Sequence, residues 1–350
     1  MSTEPYCSVI VVAYRNGPEL ATCVATVLAD PAVGEVIVVD NSPANWDSAL
    51  PDHPKVTVIA QPNNPGFAGG ANIGANAAGG DVLDFLNPDV EVELGALGKL
   101  RARLLQNPGV AGPAIELIGS GGALEYGATL DLFAMPRRLT RSSFEHCAPL
   151  YVSGCCLATN RWIFDRVGGF DVRYFMFCED IEYSWQCLRH GYAVDVVVDA
   201  VVHHSGGAST PGGYLRDGRI QVSAFRIALR ERNSTAMVIA CAPTVFLPLM
   251  LILSVLRSVV VAGAAAIVCR TDLTRSVVGG LRWNVWHLSG TLARRRSAPR
   301  ATAFNGWSRI RWRCFAAGAV IRWGLPVMIG STITPSTEER TRSLPADVND

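Results

Sequence analysis

Two adjacent acids, Glu179 and Asp180, stand where an aromatic run gives way to a predicted helix. The run before them, residues 170–177, contains three Phe, one Tyr and one Met, which is typical of the apolar wall of a cleft. A carboxylate beside such a wall is a candidate general base, because an apolar environment raises its pKa toward neutrality. Acids at a helix start also act as caps. We interpret the pair as catalytic, with capping as the alternative.

A possible metal site is indicated by one acid and two histidines at strand ends. Asp89 follows the apolar strand predicted over residues 81–87, and His203 and His204 end a later strand. Carboxylate oxygens and a neutral imidazole are ligands for divalent cations. Neighbouring residues on an extended chain point in opposite directions, so we expect only one of the two histidines to face the site. An ordinary Asn-Pro-Asp turn is the alternative for residues 87–89.

Polar residues that suit a nucleotide lie at other strand ends. Asp40 ends a buried strand, where its carboxylate is able to accept hydrogen bonds from a base or a ribose; a local Asx turn is the alternative. Residues 63–74 are dense in Gly and Asn, and glycines let a backbone approach a diphosphate closely. This stretch matches neither G-x-G-x-x-G nor a Walker A loop.

Short strands that alternate with helices must position these residues. The pattern predicts strands over 8–14, 35–40, 56–60, 81–87 and 193–198, and helices over 18–29, 70–79, 161–167, 180–190 and 219–232. Such alternation indicates an α/β fold with a mostly parallel central sheet flanked by helices. Ligands of these sheets bind at the carboxyl ends of the strands, where the candidate residues lie.

Composition excludes several classes of protein. The chain has 350 residues, of which 49% are hydrophobic and 17% charged, so it is too apolar for a disordered chain and too charged for a polytopic transporter. Residues 1–256 hold 17 basic and 25 acidic side chains, whereas residues 257–323 hold twelve Arg and one acid. That asymmetry indicates a membrane surface or a nucleic acid as partner of the basic part.

The C-terminal part predicts membrane association. Residues 236–256 form an uncharged run of 21 residues, interrupted by Pro243 and Pro248 and ended by Arg257. A run of that length is just able to span a bilayer, and its two prolines and the break at Arg257 fit a partly embedded or re-entrant segment equally. Residues 282–323 interleave Trp with Arg, which suits an anionic leaflet. A helical hairpin packed on the catalytic domain is the alternative.

Together these segments resemble the family-2 inverting glycosyltransferases with the GT-A fold, over about residues 6–232. Residues 63–72 (NNPGFAGGAN) and the Gly-Gly-Phe-Asp to Glu-Asp stretch, residues 168–180, are similar to the bacterial rhamnosyltransferase-like branch, which acts on polyprenyl-diphosphate-linked sugars. The resemblance implies a GT-A nucleotide-binding domain over 1–232. We expect an apolar and Arg/Trp-rich helical membrane-associated region over 233–330 and a disordered tail over 331–350.

The resemblance also implies roles for individual residues. Asp180 is the expected base, with Glu179 beside it. Metal ligands are expected at Asp89, His203 and His204, for Mg²⁺ or Mn²⁺. The nucleotide sugar is expected to contact Tyr14, Asn16, Asp40, Asn64, Gly66, Phe67, Gly69, Asn72 and Asn87. The acceptor is expected to contact Gly169, Phe170 and Arg189.

The implied function is metal-dependent, inverting transfer of one sugar, rhamnose favoured, from a nucleotide donor to a hydroxyl of a lipid-linked glycan at the cytoplasmic face of the bacterial cell membrane. Cell-wall or surface polysaccharide would be the product. The chain lacks the Gln-x-x-Arg-Trp motif of processive synthases well downstream of Asp180, which favours single-sugar addition. With a lipid-linked acceptor, the resemblance implies no nucleic acid partner. Alternatives are a galactofuranosyltransferase, a sugar-nucleotide pyrophosphorylase and a non-catalytic membrane-binding protein.

Overall fold

The structure, a computed structural model, describes residues 5–15, 17–42, 50–118, 121–205, 215–216, 219–220, 224–267 and 269–299. The expected site residue Asn16 and the expected disordered tail, residues 331–350, lie outside these ranges, as does the last part of the Arg/Trp-rich segment. Contacts divide the described residues into two compact units. One lies in Met1–Leu130, Pro136–Ser209 and Arg296–Phe315, and the other lies in Asp131–Met135 and Thr210–Arg295.

The first unit is an α/β structure built on a central sheet. Its strands are β1 (Cys7–Ala13), β2 (Val33–Asp40), β3 (Val56–Ala60), β4 (Val82–Leu86), β5 (Val90–Val92), β6 (Gly109–Leu117), β7 (Leu124–Glu125), β8 (Ala128–Leu130), β9 (Pro136–Arg138), β10 (Cys156–Asn160) and β11 (Ala193–His204). Its helices are α1 (Glu19–Leu28), α2 (Gly66–Ala77), α3 (Ala96–Gln106), α4 (Arg141–Phe144), α5 (Arg161–Val167) and α6 (Glu179–Arg189), with a 3-10 turn at Val172–Tyr174.

The sheet runs in the order β3-β2-β1-β4-β10-β6-β11-β5, with β7 paired to β6. The half from β3 to β4 is parallel, as the alternation of strands and helices predicts. The other half is mixed, because β10 runs antiparallel to both β4 and β6, while β6 and β11 are parallel. The expected parallel arrangement therefore holds for β3, β2, β1 and β4, and the rest of the sheet is mixed.

The sheet is curled, and the connection from β4 to β5 shows why. Only residues 87–89 join these strands, yet β10, β6 and β11 stand between them in the sheet order. The four Cα–Cα steps from Leu86 to Val90 span at most about 14 Å, whereas the four strand spacings from β4 to β5 would span about 19 Å in a flat sheet, so the β5 edge must return toward the end of β4. The Asn87-Pro88-Asp89 turn thus meets the end of β11, where β5 pairs His204 with Val90.

Both faces of the sheet are buried, which explains the continuous apolar strands. All seven residues of β1 are buried. Val9 and Val11 face a core shared with α1 and α3, and Ile10 and Val12 face a second core with α2, α5 and α6. Alternate side chains of a strand point to opposite faces, so a central strand covered by helices on both sides is apolar throughout.

Two predicted elements differ in extent from the structure. Helix α2 begins at Gly66 rather than at residue 70, so the Gly/Asn-rich stretch forms its first turns instead of a loop. Strand β11 extends from the predicted 193–198 to His204, with an irregularity between Val197 and Val201 where it continues along β6. The histidines therefore end this same strand.

The second unit is helical and corrects the predicted apolar segment. Its helices are α7 (Ala224–Cys241), α8 (Leu247–Ile267), α9 (Thr271–Trp286) and α10 (Leu288–Ser297), and two short strands, β12 (Leu215–Arg216) and β13 (Arg219–Ile220), precede them. The uncharged run 236–256 is not one helix, because it breaks between Cys241 and Leu247. Pro243 lies in that break, where proline disfavours helix in the residue before it. The predicted helix 219–232 likewise begins later, at Ala224.

The charge of Arg257 suggested that the apolar segment ends there, but Arg257 is the middle residue of α8. The chain accommodates this charge because Glu231 of α7 forms an ion pair with it, with Nε 3.0 Å from Oε2. Within the described residues, α8 alone has the length and apolarity to cross a membrane, with 21 residues and a mean hydropathy of 2.2. About two fifths of the most apolar 18-residue stretch of α8 is buried in the protein.

Candidate active site

The acid pair lies at the first turn of α6, in two different environments. Asp180 is half-buried, and its Oδ2 accepts a hydrogen bond of 2.8 Å from the Gly154 N–H. Its Oδ1 accepts one of 2.8 Å from the Ile181 N–H. Glu179 is only 7% exposed, and its Oε2 makes no hydrogen bond within the described residues. Asp180 is therefore oriented by two backbone N–H groups, whereas Glu179 is buried and its Oε2 accepts no hydrogen bond among the described residues.

Burial raises the pKa of both acids. The pKa of Glu179 rises from 4.5 to about 8, first because burial penalises its charged form and second because Asp180 adds negative charge. Burial also raises the pKa of Asp180, and the backbone N–H donors, Gly154 first among them, oppose that rise. The Gly154 and Ile181 N–H groups thus stabilise the charged form of Asp180, whereas the Glu179 Oε2 has no such donor among the described residues.

The chain entering α6 is strained. Phe175, Phe177 and Cys178 adopt φ values of 62°, 69° and 68°, in a region that bulky side chains rarely occupy. Such residues cost about 1–3 kcal/mol each and cluster at functional sites, where surrounding contacts hold them. One such contact is the hydrogen bond of 3.1 Å from the Ala68 N–H of α2 to the Phe175 carbonyl. This hydrogen bond ties the strained segment, and so the acid pair that follows it, to α2.

Asp89 and His204 meet at the curled edge of the sheet. Antiparallel pairing of β5 with β11 sets His204 opposite Val90, next to Asp89 in the chain. The His204 Nε2 lies 3.3 Å from Asp89 Oδ1, and the exposed fractions of the two side chains are 16% and 4%. Despite this distance, the buried Nε2 makes no hydrogen bond of acceptable angle with any described residue.

His203 points to the other side of β11, as the alternation of a strand requires. Its Nδ1 lies 2.9 Å from Glu116 Oε2, and its Nε2 lies 3.3 Å from Glu93 Oε1. The structure thus brings one of the two predicted histidines to Asp89 and gives the other a pair of surface carboxylates.

Residues 154–155 join the acid pair to the Asp89 turn. The Gly154 N–H binds Asp180, while the Cys155 carbonyl accepts a hydrogen bond of 2.9 Å from the Asn87 N–H. Burial raises the pKa of the Cys155 thiol to about 12, and the charges of Asp89 and Asp180 add to that rise. Both carboxylates are therefore near one buried thiol, although 91 residues separate them in sequence.

The Asp89–His204 pair fits a divalent cation. A buried carboxylate oxygen faces an imidazole nitrogen that has no hydrogen bond among the described residues, and a divalent cation could take both, with oxygens of substrate phosphates as further ligands. Among the described residues, no group of three His, Cys, Asp or Glu side chains converges as a metal site. Substrate or water would have to supply the remaining ligands.

The strand ends on the other half of the sheet are tied to α2 by Asn41. Its Nδ2 donates a hydrogen bond of 3.0 Å to the Gly66 carbonyl. Asp40 is buried, and its Oδ1 accepts bonds from the Ser42 N–H at 2.8 Å and the Ser42 hydroxyl at 3.3 Å. The Ser42 hydroxyl in turn accepts a bond of 2.7 Å from the Arg15 N–H. Asp40 thus forms the local turn that was its alternative interpretation, and its contact with a base or ribose stays a prediction.

Asn72 clamps the turn before the acid pair. Its Nδ2 donates to the Phe170 carbonyl at 2.8 Å, and its Oδ1 accepts from the Phe170 N–H at 3.0 Å. Gly169 precedes that residue with a φ of 62°, and a Cβ there would meet Asn72 Oδ1 at 2.9 Å. The Phe67 and Phe170 rings pack edge to face, 6.1 Å apart. Asn72, which was predicted to contact the nucleotide sugar, therefore holds Gly169 and Phe170, which were predicted to contact the glycan acceptor.

The glycines of α2 each have a packing reason. A Cβ on Gly66 would lie 2.4 Å from the Phe175 carbonyl oxygen, and one on Gly69 would lie 2.6 Å from Pro65. Gly70 and Gly74 similarly admit Val12 and Ile10 of β1. The glycines of residues 63–74, which were expected to let the backbone approach a diphosphate, thus let α2 approach β1 of the sheet and the aromatic loop, residues 170–177. The Gly66 N–H is already bound by Asn64 Oδ1 at 3.1 Å.

The remaining predicted residues are dispersed. Tyr14 is half-buried under the Arg15 guanidinium, 5.4 Å from its ring centre. Asn87 lies in the turn beside Asp89. Arg189 is buried in the last turn of α6, about 15 Å along the helix from Glu179. The structure does not bring Arg189 to the acid pair.

Two residues outside the predicted set contribute to the site. Asn41 follows Asp40 at the end of β2, so its position in the sequence could have indicated a site residue. Gly154 gave no signal, because its function as partner of Asp180 depends on a contact across 26 residues. A Cβ at Gly154 would lie 3.2 Å from the Asp180 Cβ, so glycine keeps this contact close.

This curled α/β sheet, with acids gathered at its strand ends, defines a GT-A type glycosyltransferase fold. Residues 8–168, a little under half of the chain, match Glycosyl transferase family 2, and this match supports a glycosyltransferase. In fold, the chain is similar to GalNAc-T7 solved with UDP, GalNAc and Mn²⁺. The TM-score is 0.53 at 18% identity, and the likeness covers 69% of this chain and 48% of that one.

Two curated relatives are similar in sequence. The N-acetylglucosaminyl-diphospho-decaprenol L-rhamnosyltransferase of Mycobacterium tuberculosis is 28% identical over 240 residues, which are 58% of this chain and 76% of that enzyme. The low-salt glycan biosynthesis hexosyltransferase Agl10 of Haloferax volcanii is 25% identical over 214 residues, 55% of this chain and 66% of that enzyme. These similarities support the rhamnosyltransferase-like branch of the family. The chain spans just under two thirds of the Haloferax relative.

Proposed function

We propose that this protein transfers one sugar from a nucleoside-diphosphate sugar to a hydroxyl of a lipid-linked glycan, with inversion of the anomeric carbon. One observation carries the proposal: Asp180 and the turn that contains Asp89 both hydrogen-bond to Gly154–Cys155, which lies in the stretch that matches Glycosyl transferase family 2. The proposal assigns Asp180 as the base and the neighbouring Asp89 turn to the charged leaving group. The mycobacterial relative favours rhamnose and a polyprenyl-diphosphate-linked acceptor.

Asp180 acts as the base in this proposal. Its two oxygens are oriented by the Gly154 and Ile181 N–H groups, so the carboxylate is fixed before the acceptor arrives. It removes a proton from the acceptor hydroxyl, whose oxygen attacks the anomeric carbon while the bond to the diphosphate breaks. A single displacement by the acceptor inverts the configuration and requires no covalent enzyme intermediate. The raised pKa of Asp180 strengthens it as a base.

Asp89 and His204 would hold the divalent cation, and the Mn²⁺ bound in GalNAc-T7 is consistent with that choice. When bound, such a cation supplies positive charge for the diphosphate leaving group. The buried position of Asp89 and the pairing of β5 with β11 keep the two ligands in place. Asp40, Tyr14 and Asn87 are proposed to contact the nucleotide sugar.

The proposal extends to location. An acceptor carried on a lipid suits an enzyme at the cytoplasmic face of the cell membrane, and the helical unit with its apolar α8 and arginines is the candidate for attachment. Such an enzyme would serve cell-wall or surface polysaccharide synthesis.

A donor screen tests the proposal. The purified full chain is incubated with a panel of nucleoside-diphosphate sugars, with Mn²⁺ or with EDTA, and released nucleoside diphosphate is measured. We expect release from one donor class, dependent on the cation and accelerated by a polyprenyl-diphosphate-linked sugar. A full chain that is folded and releases nucleoside diphosphate from none of the donors would refute the proposed transfer. A galactofuranose nucleotide as the preferred donor would favour the alternative within the same fold.

A further inference from the structure

Helix α8 has two unlike faces. One is buried among α7, α9 and the loop Asp131–Met135, and it includes Ser254, Arg257 and Ser258. The other is exposed and apolar; we define it as the apolar stripe, consisting of Leu249, Ile252, Leu256, Val259, Val260 and Ile267. The exposed fraction of these six residues lies between 45% and 84%. Their spacing of three and four residues places them along one side of the helix.

The buried face is polar at its centre. The Arg257 Nε lies 3.0 Å from Glu231 Oε2, which also accepts a hydrogen bond of 2.7 Å from the Ser258 hydroxyl. The Arg257 guanidinium further donates to the Ser234 hydroxyl and to the Phe133 carbonyl. The middle residue of α8 is thus fixed to a non-helical loop and to a buried carboxylate.

These contacts oppose a spanning orientation. If α8 crossed a bilayer, Arg257 and the loop Asp131–Met135 would lie near its centre. Four of the five loop residues are partly exposed, and lipid-exposed irregular backbone does not occur in the hydrocarbon region. Helix α9, which packs on α8, has only 16 residues and contains Asp272, Arg275 and Arg282, so it is unsuited to accompany α8 across.

Charge around the apolar stripe identifies its partner. Residues 258–299, which exclude the buried Arg257, contain six arginines and one acid, Asp272, which pairs with Arg270. Exposed apolar residues continue on the following helix at Val278, Val285 and Trp286, and the Arg282 guanidinium lies 4.9 Å from the Trp286 ring centre. Tryptophan and arginine side by side are typical of the membrane interface, and basic residues attract anionic headgroups.

We propose that α8 lies lengthwise in the surface of an anionic lipid bilayer, with the apolar stripe inserted in the interface and the Arg257 face kept in the protein. The helix extends about 32 Å, so the stripe offers a long and narrow insertion surface. Insertion removes these exposed apolar side chains from water, and the surrounding arginines bind the headgroups. Attachment of this kind leaves the protein removable without detergent.

Vesicle sedimentation tests this orientation. The purified full chain is mixed with preformed phosphatidylcholine vesicles, with or without phosphatidylglycerol. We expect binding to the anionic vesicles, weakened by salt and reversed by an alkaline wash. Retention of the protein until detergent is added would overturn the proposal in favour of a spanning α8. Equal binding to both vesicle types would overturn the anionic partner.

A pair of variants tests the stripe itself. Leu256 is 51% exposed on α8, and Leu105 is 53% exposed on α3 of the sheet unit. Leu256→Glu should reduce binding to anionic vesicles about tenfold or more, because it removes an inserted apolar side chain and adds a repelled charge. Leu105→Glu adds the same charge and should bind as wild type. Equal binding of the two variants would overturn the proposal.

The difference in vesicle binding is meaningful only if both variants fold as the wild type does. Circular dichroism and thermal melting should match wild type for both variants; where Leu256→Glu departs, Val260→Glu, 58% exposed on the same stripe, takes its place. Sedimentation does not require sugar transfer. A failure of the proposed glycosyl transfer would therefore leave this result unaffected, and the reverse also holds.

Discussion

At the scale of the residue, two neighbouring carboxylates differ in how their charged forms are stabilised. Asp180 is partly exposed and accepts two backbone hydrogen bonds, whereas Glu179 is buried with one oxygen unbonded within the described chain. Environment rather than residue type makes this distinction, since each acid begins from a low ordinary pKa. Backbone donors stabilise the charged form of Asp180, and its role as the base stays a prediction.

Asp180→Asn is expected to lower turnover by about 10²–10⁴-fold with little change in donor affinity, because it removes the base and keeps its shape. Glu179→Gln should retain most turnover at neutral pH, since the glutamate, with a pKa of about 8, is already protonated there. Initial rates and donor titrations of the two variants provide the measurement. Near wild-type turnover by Asp180→Asn would exclude it as the base, and a larger loss in Glu179→Gln would assign that function to Glu179.

The same acids predict how the rate depends on pH. Asp180 must be ionised to accept a proton, and burial raises its pKa above the ordinary 3.8. The rate should therefore fall, as pH decreases, at a higher pH than an unperturbed aspartate would give. A pH profile of kcat for the wild type checks this expectation. An acid limb at the ordinary aspartate value would contradict the effect of burial.

His204→Ala should weaken Mn²⁺-dependent donor binding by about tenfold or more, because it removes one of two expected protein ligands. His203→Ala is the matched control, since that neighbouring side chain faces Glu93 and Glu116 instead. Titration of the nucleotide with and without Mn²⁺ measures both. Equal effects of the two variants would remove His204 from the metal site.

At the scale of the element, α2 organises both halves of the site. Its first turn receives Asn41 from the end of β2, and its second turn holds Phe170 through Asn72. Close packing against β1 is possible because glycines occupy the positions that face Val12 and Ile10. The position of the aromatic loop, and hence of α6, therefore depends on a helix 100 residues earlier in the chain.

Asn72→Asp should destabilise the protein by about 1–3 kcal/mol, because the carboxylate cannot donate to the Phe170 carbonyl. Nucleotide affinity should stay unchanged, since the amide is occupied by Phe170. Asn76→Asp, one turn later on the exposed side of α2, is the control and should be nearly neutral. Chemical denaturation and donor titration measure these effects. A loss of nucleotide affinity without a loss of stability would show that Asn72 contacts the donor, as the sequence suggested.

Elements with a strong local pattern were predicted well. Strand β3 and helix α5 have the predicted bounds, and α6 differs by one residue. The start of α2 was wrong because it depends on Phe175, whose carbonyl binds Ala68 over 107 residues. The proximity of Asp89 and His204 needs the curl of the sheet, which no local signal contains. Likewise, the charge of Arg257 indicated a helix end only because its partner Glu231 is 26 residues away.

At the scale of the whole molecule, a buried acid in the sheet predicts how stability depends on pH. Asp84 of β4 is fully buried, and neither oxygen finds a partner with hydrogen-bond geometry among the described residues. Burial raises its pKa from 3.8 to about 7. Because the folded pKa exceeds the unfolded one, the unfolded chain loses its proton first, and stability falls as pH rises through this window.

Asp84→Asn should reduce this pH dependence, since an amide does not ionise. The free energy of unfolding of the wild type should fall between about pH 4 and 7, by as much as ~1.4 kcal/mol per pH unit from this group, and the variant should fall less steeply. Asp199→Asn, with a side chain 71% exposed, is the control and should follow the wild type. Denaturation at several pH values provides the measurement. Parallel curves for the wild type and Asp84→Asn would contradict a protonated Asp84.

The central claim is that the whole chain performs one inverting sugar transfer with Asp180 as the base. The most direct test is to incubate the full chain with the donor found by screening, Mn²⁺ and a polyprenyl-diphosphate-linked sugar, and to analyse the product by mass spectrometry and NMR. We predict addition of one sugar with the anomeric configuration opposite to that of the donor, and no such product from Asp180→Asn. A product with retained configuration, or equal yield from the variant, would contradict the account.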